Sequence, residues 1–465
     1  MTIAPSKMTI TEARAMLTGG HMTPIEYVDA LLDEWSNWPD LGAFTDTDPQ
    51  TLRKQAQAVD VNRGPLAGIP LVLKANIATR SLATCAGTPA LGGFRSAHDA
   101  PVAERLANAG SLLAAKGNMH ELAFGITSNN AYSGVVRNPW NQQCIPGGSS
   151  GGVAAAVAAG LLPGGIGTDT GASVRLPAAL CGLVGFRPTV GRYPGGGIAP
   201  ISHTRDTAGP ITRSVEDAIL VDKVMAGNTI QTPQVTLDGI RIGVPKAYFF
   251  EDLHPDVAME SNRVLDILSN HGVDLIEVDI PDLAELNAEV GFPVALYEVM
   301  QDLPKWLADQ GTGVSLEEVI AQIASPDVKG ILQSQLGPEK MPEAVYRDAM
   351  ERARPNLQRA YADYFRNHGL CAVLFPTAPL PATPIGDDET VELNGKQVPT
   401  FPTFIRNTDP ASNAGIPGIS VPTGLCQNGL PIGMELDGPI GTDCDLLALA
   451  VAVEAVVGFK SAPKP

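Results

Sequence analysis

The chain has 465 residues, 44% of them hydrophobic, and a net charge of −18. That length buries a sizeable core without disulfide or metal staples, and the hydrophobic content excludes global disorder. The acidic balance sets the surface field against a polyanion, and no Lys/Arg cluster offsets it, so nucleic acid is not expected as a partner.

Residues 9–36 read as helical, with Thr23-Pro24 as a cap followed by proline at the first helical position. The segment GPLAGIPLVLKAN (64–76) has a Gly/Pro-punctuated entry and the apolar run Ile69–Leu73, which reads as a buried strand ending at Lys74. A helix opening on Asp99 (99–110) and a strand (111–116) follow, the alternation of an α/β fold. PGGSSGGVAAAVAAG (146–160) is a glycine-rich turn entering an Ala/Val run, expected to be a buried central helix. A strand is expected over 165–170 and a second helix over 173–180. Ser214 caps a helix over 214–226, with Glu216 and Asp217 in its first turn. Strands are expected at 240–245, 373–375, 419–421 and 432–436, and a closing helix at 446–457. Region 284–365 reads as mostly helical, with loops at Pro326-Asp327 and around Gly337-Pro338.

The 48 glycines and 39 prolines form no period, so they read as turns and close backbone approaches. Composition shifts over about 285–400, which we take as a peripheral layer of one domain spanning 1–465. The six cysteines (85, 144, 181, 371, 426 and 444) include no CxxC pair. Buried free thiols in a reducing cytosol are expected, with no disulfide framework and no metal site. The N-terminal stretch lacks a basic region followed by an apolar one, so no secretory signal is expected. The apolar stretch 153–166 is broken by Gly160, Pro163, Gly164 and Gly165, so no membrane span is expected and a cytoplasmic location follows.

Three features can carry chemistry: Lys74 at a strand end, Ser149-Ser150 in the glycine-rich turn, and Ser173 in GTDTGASVR. A serine hydroxyl needs a base within hydrogen-bond reach. No Ser/His/Asp trio is evident among the seven histidines, and the G-x-S-x-G elbow is absent because Arg175 stands two residues after Ser173. Lysine serves as a base only when neutral, about one molecule in 2,500 at pH 7 for an unperturbed side chain. Burial lowers that pKa, and Lys74 follows an apolar run. Each feature also has a plainer reading. Lys74 could be an exposed strand-end lysine. Ser149 and Ser150 could form a turn capping the Ala-rich helix, and Ser173 could be an N-cap. The glycine-rich turn could cradle a phosphate, but it lacks the G-K-[ST] ending. Asp169 and Arg175 could be a plain ion pair; His120, Asp206 and Arg213 read as structural.

The string PGGSSGGVAAAVAAGLLPGGIGTDTGASVRLPAALCGLVGFRPTVGR resembles the signature of the amidase signature family, whose serine hydrolases use a Ser–cis-Ser–Lys triad. In that pattern the bridging serine is the first of the SSGG pair and the nucleophile stands 24 residues later, here Ser149 and Ser173. The family lysine ends a G-I-P-x-x-x-K strand, here Gly68-Ile69-Pro70 to Lys74. KGNMHELAFG (116–125), RDTAGPITRSVED (205–217) and NAGIPGISVPTG (413–424) match as well. The resemblance covers almost the whole chain, strongest over 64–217, and is nearest to the indoleacetamide and mandelamide hydrolase branch. Two departures stand out: Ala172 where many members have glycine, and Ala75 where many have Asp after the lysine.

The resemblance implies a single α/β/α domain around a large mixed sheet. It implies hydrolysis of the C–N bond of a small, aryl or arylalkyl carboxamide through a Ser173 acyl-enzyme, with esters, anilides and carbamates (urethanes) as further substrates. Lys74 would accept a proton relayed through Ser149, whose link to Gly148 would be cis. Backbone N–H groups of Thr170, Gly171, Ala172 and Ser173 would form the oxyanion hole. Ala123 would offer its carbonyl to the nucleophile region, and Asp169, Arg175 and Ser150 would support the loop. No cofactor is implied. The partner is a small-molecule amide, with no nucleic acid and no membrane, and a homodimer is left open. Segments 125–135, 290–345 and 376–408 are expected to line the substrate pocket. Two other readings stand beside this one: the glutamine-hydrolysing subunit of a tRNA-dependent amidotransferase, and a catalytically silent binding protein on the same scaffold.

Overall fold

The computed structural model describes residues 3–228 and 232–465. Eleven strands form one mixed sheet: β1 (Phe44–Thr47), β2 (Pro70–Lys74), β3 (Leu112–Gly117), β4 (Gly164–Asp169), β5 (Val184–Arg187), β6 (Thr207–Thr212), β7 (Arg241–Gly243), β8 (Asp274–Ile276), β9 (Ala372–Pro376), β10 (Gly418–Leu425) and β11 (Pro431–Asp437). Their spatial order is β1-β3-β2-β4-β6-β5-β10-β11-β9-β7-β8. Strands β3, β2 and β4 run parallel to one another, and β6, β5, β10 and β11 follow antiparallel. This is the α/β architecture the resemblance implies, with helices around a large mixed sheet.

Strand β2 is buried at every position, as expected of a central parallel strand covered on both faces. Its neighbour β4 carries Gly164, Gly165 and Gly167, for a steric reason. A Cβ on Gly165 would lie 2.4 Å from Val72 Cγ1 and 2.6 Å from Val153 Cγ1. The small residues let helix α1 (Gly151–Ala159), all nine of whose residues are buried, lie directly on the sheet. Helix α2 (Arg175–Cys181) follows β4 and is likewise fully buried.

Two large apolar clusters fill the space around the sheet. One packs the helices Ile10–Thr18, Pro24–Trp35, Pro101–Asn108 and α1 against β2 and β3. The other packs the helices Val215–Ala226, Pro255–Asn270 and Asp443–Val457 against β5, β9, β10 and β11. An outer layer includes the long, charged helix α3 (Leu283–Asp309) and the short, uncharged helix α4 (Thr400–Ile405).

Several local expectations change. The region 9–36 is two helices, each opened by a reciprocal Thr/Glu cap, Thr9 with Glu12 and Thr23 with Glu26. Asp99 opens no helix, because its carboxylate accepts from the backbone N–H of Arg80 and the helix starts at Pro101. Pro326-Asp327 is the first turn of a helix, since proline fits that position without a lost hydrogen bond. Asp217 accepts from the N–H groups of Ile10 and Thr11, so it ties two helices together. All six cysteines are free thiols, but Cys371, just before β9, is exposed, and Cys444, in the first turn of the closing helix, is half-buried. No helix among the described residues is long and apolar enough to cross a membrane.

Candidate active site

Two adjacent parallel strands end at one edge of the sheet, and the site begins there. Lys74 is the last residue of β2, and Thr168 and Asp169 are the last two of β4. Pairing of Val72 with Gly165 and Leu73 with Ile166 fixes the offset between them. The Lys74 side chain is fully buried. Its Nζ lies 2.7 Å from Ser149 Oγ, 2.9 Å from Thr168 Oγ1 and 3.3 Å from the Thr168 carbonyl. A neutral amine has two N–H groups and one lone pair. The Lys74 ammonium donates to all three oxygens; the neutral amine keeps the two Thr168 contacts and offers its lone pair to the Ser149 hydroxyl. Lys74 forms no ion pair among the described residues. Burial pulls its pKa down from 10.5 to about 7, against a weaker upward pull from Asp169 and Asp206. The exposed strand-end reading of Lys74 is therefore wrong: the apolar strand delivers its terminal residue into the interior.

Ser149 and Ser150 stand just before α1, and the Gly148–Ser149 peptide is cis. Ser150 makes no capping bond with its side chain. Its Oγ instead contacts both the N–H and the carbonyl of Thr168 at 3.3 Å, stitching the helix start to β4. The backbone carbonyl of Ser149 accepts from His120 N–H at 3.1 Å. The His120 ring is turned away to Asp327, 2.9 Å from its carboxylate, a structural contact.

Residues 170–174 form the turn between β4 and α2. The N–H groups of Thr170, Gly171, Ala172 and Ser173 find no acceptor among the described residues. The next N–H, of Val174, donates to Asp169 Oδ2 at 3.1 Å. Ser173 is not the N-cap of α2; Val174 is, because the Asp169 carboxylate is the stronger acceptor at that end. Arg175 Nη2 donates to the Gly171 carbonyl and thereby ties the turn back into the core.

The Asp169–Arg175 pair is part of a larger buried cluster. Asp169 also meets Arg187, and Arg175 also donates to Glu435, Ser412 and the Thr408 carbonyl. Burial works against the Asp169 anion, but Arg175 and Arg187 hold its carboxyl well below the usual range. Burial pushes Glu435 the other way, upward, against the pull of Arg175, and burial together with the neighbouring Glu435 pushes Asp437 well up. Asp206 accepts from the Thr170 hydroxyl at 2.6 Å and from the N–H groups of Ile201 and Ser202. Arg213 donates to the carbonyls of Met8, Val157 and Leu162, away from the site.

A cavity opens over the turn, with Thr170, Gly171 and Ser173 in its wall. Ala123 lines it too, in a left-handed conformation (φ 63) shared with Leu122 (φ 51). Helix α3 contributes Phe292 and Leu296, and α4 contributes Phe401 and Ile405. The expected pocket segments thus contribute mainly over 291–296 and 401–405, along with Gly125 and Ile126. Ala172 packs in an apolar cluster with Leu176 and Phe404, so its extra methyl group faces protein. Ala75 sits in another with Cys85, Met119 and Ala123.

Sequence reasoning left out Thr168, Arg187, Arg205 and Asp409. Arg205 and Asp409 form an ion pair at 2.6 Å in the cavity wall, and Arg205 also donates to the Gly291 carbonyl. Thr168 had a usable signal, a hydroxyl one residue before the strand-end Asp169 in GTDTGAS.

The amidase family model matches residues 26–447. The chain is 50% identical to an indoleacetamide hydrolase of Agrobacterium vitis over 442 residues, 94% of this chain and 95% of that one. It is 40% identical to a mandelamide hydrolase of Pseudomonas putida over 480 residues, 98% of this chain and 93% of that one. A solved amidase structure superposes with a TM-score of 0.86 at 34% identity, covering 97% of this chain and all of the other.

Proposed function

Because this chain belongs to the amidase family and is an amidohydrolase, we propose that it cleaves the C–N bond of small aryl or arylalkyl carboxamides through an acyl-enzyme on Ser173. The observation that carries this reading is the environment of Lys74: a fully buried amine facing two hydroxyls and a carbonyl, with a pKa near 7. At that value about half the molecules hold a neutral lysine at pH 7, against about one in 2,500 for a solvated one.

In this mechanism Ser149 passes its proton to Lys74 Nζ and takes one from Ser173 Oγ. Ser173 attacks the amide carbonyl, and the N–H groups of residues 170–173 receive the oxyanion. Each such donor is worth roughly 3–4 kcal/mol to the transition state. Ser149 then protonates the leaving nitrogen, which amide cleavage requires because an amide anion does not leave. Ammonia or an amine departs, and water, deprotonated by the same relay, releases the acid and restores Ser173. Asp169, Arg175 and Ser150 hold the turn and the helix start in register. Esters and anilides reach the same acyl-enzyme as further substrates, since an ester's leaving group needs less proton assistance, and carbamates reach the corresponding carbamoyl- or alkoxycarbonyl-enzyme.

The largely apolar wall, with Phe124, Phe292 and Phe401, suits an uncharged aromatic acyl group. Arg205 and Asp409 neutralise each other there, which leaves no unpaired charge for the ammonium and carboxylate of glutamine. That favours a free-standing amidase over an amidotransferase subunit. The ligand is a small molecule handled without nucleic acid, and the free thiols suit a reducing, cytoplasmic setting. The deciding experiment measures ammonia release from phenylacetamide and labelling by a fluorophosphonate. The native chain does both and the Ser173→Ala chain neither; a Ser173→Ala chain with native turnover overturns the assignment.

A further inference from the structure

The apolar cavity has an unusual mouth. Phe292 of α3 and Phe401 of α4 stand 109 positions apart in sequence, yet their ring centroids are 5.8 Å apart at 51°. Both line the same cavity as Ser173. Phe401 is anchored, since it packs against the apolar cluster that holds Phe404 and Ala172. Phe292 is not. It is 50% exposed and takes no part in the buried apolar clusters of the described residues.

A single exposed phenylalanine needs no explanation. One that meets a second ring across the opening of a reaction cavity has a partner surface waiting for a third. Tilted rings at this separation present one face and one edge, the two surfaces an aromatic ligand uses in stacked and T-shaped contacts. Below them the wall is aliphatic (Ile126, Ile201, Leu296, Ile405), and the one charged pair in the cavity is closed on itself. Nothing there rewards a charged or strongly polar acyl group. Gly291, next to Phe292, is fixed from below. Its carbonyl accepts from Arg205, and a Cβ there would lie 2.9 Å from Asp409 Oδ2. The backbone that carries Phe292 is therefore held while its ring is left at the opening.

We infer that Phe292 and Phe401 form a two-ring clamp that grips the aryl group of the substrate and sets the preference for aryl over aliphatic amides. Phe401 is the fixed jaw and Phe292 the adjustable one. The ring of the substrate completes the burial of Phe292, so the exposed side chain becomes a binding contribution made only when an aromatic group is present. The inference rests on the amidase reading and assigns the specificity within it to two named side chains.

The test compares kcat/KM for phenylacetamide and propionamide, which share the reacting amide and differ in the ring. In the native chain the ratio favours phenylacetamide. In Phe292→Ala and in Phe401→Leu that ratio falls about 10- to 100-fold, the scale of losing one well-placed apolar contact. The double variant falls by less than the product of the two, because the rings act together. Phe292→Trp, which restores an aromatic face, recovers most of the ratio. A ratio unchanged within twofold in both single variants, or an equal loss on both amides, overturns the clamp while leaving the amidase intact. A native chain that releases ammonia from neither amide overturns the amidase reading itself, a distinct result. Phe401→Leu keeps most of the buried volume, so a folding defect in one variant does not decide the outcome.

Discussion

Arg187 holds Asp169 twice, through a carboxylate oxygen at 3.1 Å and through the backbone carbonyl at 2.5 Å. Asp169 in turn accepts from Val174 N–H and from Arg175. One fully buried carboxylate therefore fixes both ends of the turn that carries Ser173. Because Asp169 is charged and Asp437 is held far above the carboxylate range, the two respond differently to the same change. Asp169→Asn leaves two buried guanidinium groups short of a countercharge and costs about 3–5 kcal/mol, with turnover falling in parallel. Asp437→Asn replaces a neutral acid with a neutral amide and costs far less. Denaturant titrations of the two variants at pH 7 check the contrast.

In the proposed mechanism activity depends on the neutral form of Lys74, so the acid limb of the kcat/KM profile falls near pH 7, where burial has brought its pKa. Turnover rises through that limb as the lysine loses its proton. Lys74→Ala loses the limb along with most of the rate, roughly 10⁴-fold. A profile flat from pH 5 to 9 in the native chain contradicts the role given to Lys74.

The same burial opposes folding. The folded pKa of Lys74 lies below its unfolded value, so between about pH 7 and 10.5 the unfolded chain binds more protons and stability rises with pH. Below about pH 7 the whole cost is present, roughly 5 kcal/mol, and above about 10.5 it is gone. Lys74→Met removes it, at the loss of the contacts with Thr168 and Ser149. The melting temperature of Lys74→Met relative to the native chain should therefore be highest at acid pH and decline steadily toward pH 10. A second buried lysine, Lys116, is also brought down to about 7 by burial, but it is common to both proteins and cancels in the difference.

Gly152 marks a close approach of α1 to neighbouring backbone. A Cβ there would lie 2.4 Å from the Ala43 carbonyl oxygen and from the N and O of Asn118. All three are backbone atoms and cannot rotate aside. Gly152→Ala should cost at least about 3 kcal/mol and lower activity by displacing Ser149. Gly93→Ala, where a Cβ meets nothing, serves as the control and leaves the melting temperature within about a degree.

Lys74 was legible because its signal is local: an apolar run that can only be a covered strand, with a single charge at its end. The serines were legible through spacing within a glycine-rich string. Arg187 was not, because its partner is 18 positions away and meets it only through the order β4-β6-β5. Arg205 and Asp409 meet across 204 positions, and nothing near either residue names the other. Phe292 and Phe401 were hidden for a different reason. Both stand on the outer helices α3 and α4, where an isolated aromatic ring has no periodicity to declare its side. Cap chemistry also misled at Asp99, whose carboxylate accepts from the distant Arg80 N–H and not from the helix that follows it.

The groups to which the mechanism assigns proton handling ride on the ends of β2 and β4 and on the start of α1, all fully buried, while α3 and α4 in the outer layer supply a separate part of the cavity wall. Each can therefore drift without the other. Gene duplication followed by changes in α3 and α4 alone can retune what enters, and laboratory libraries confined to those two helices should yield new acyl preferences far more often than inactive protein.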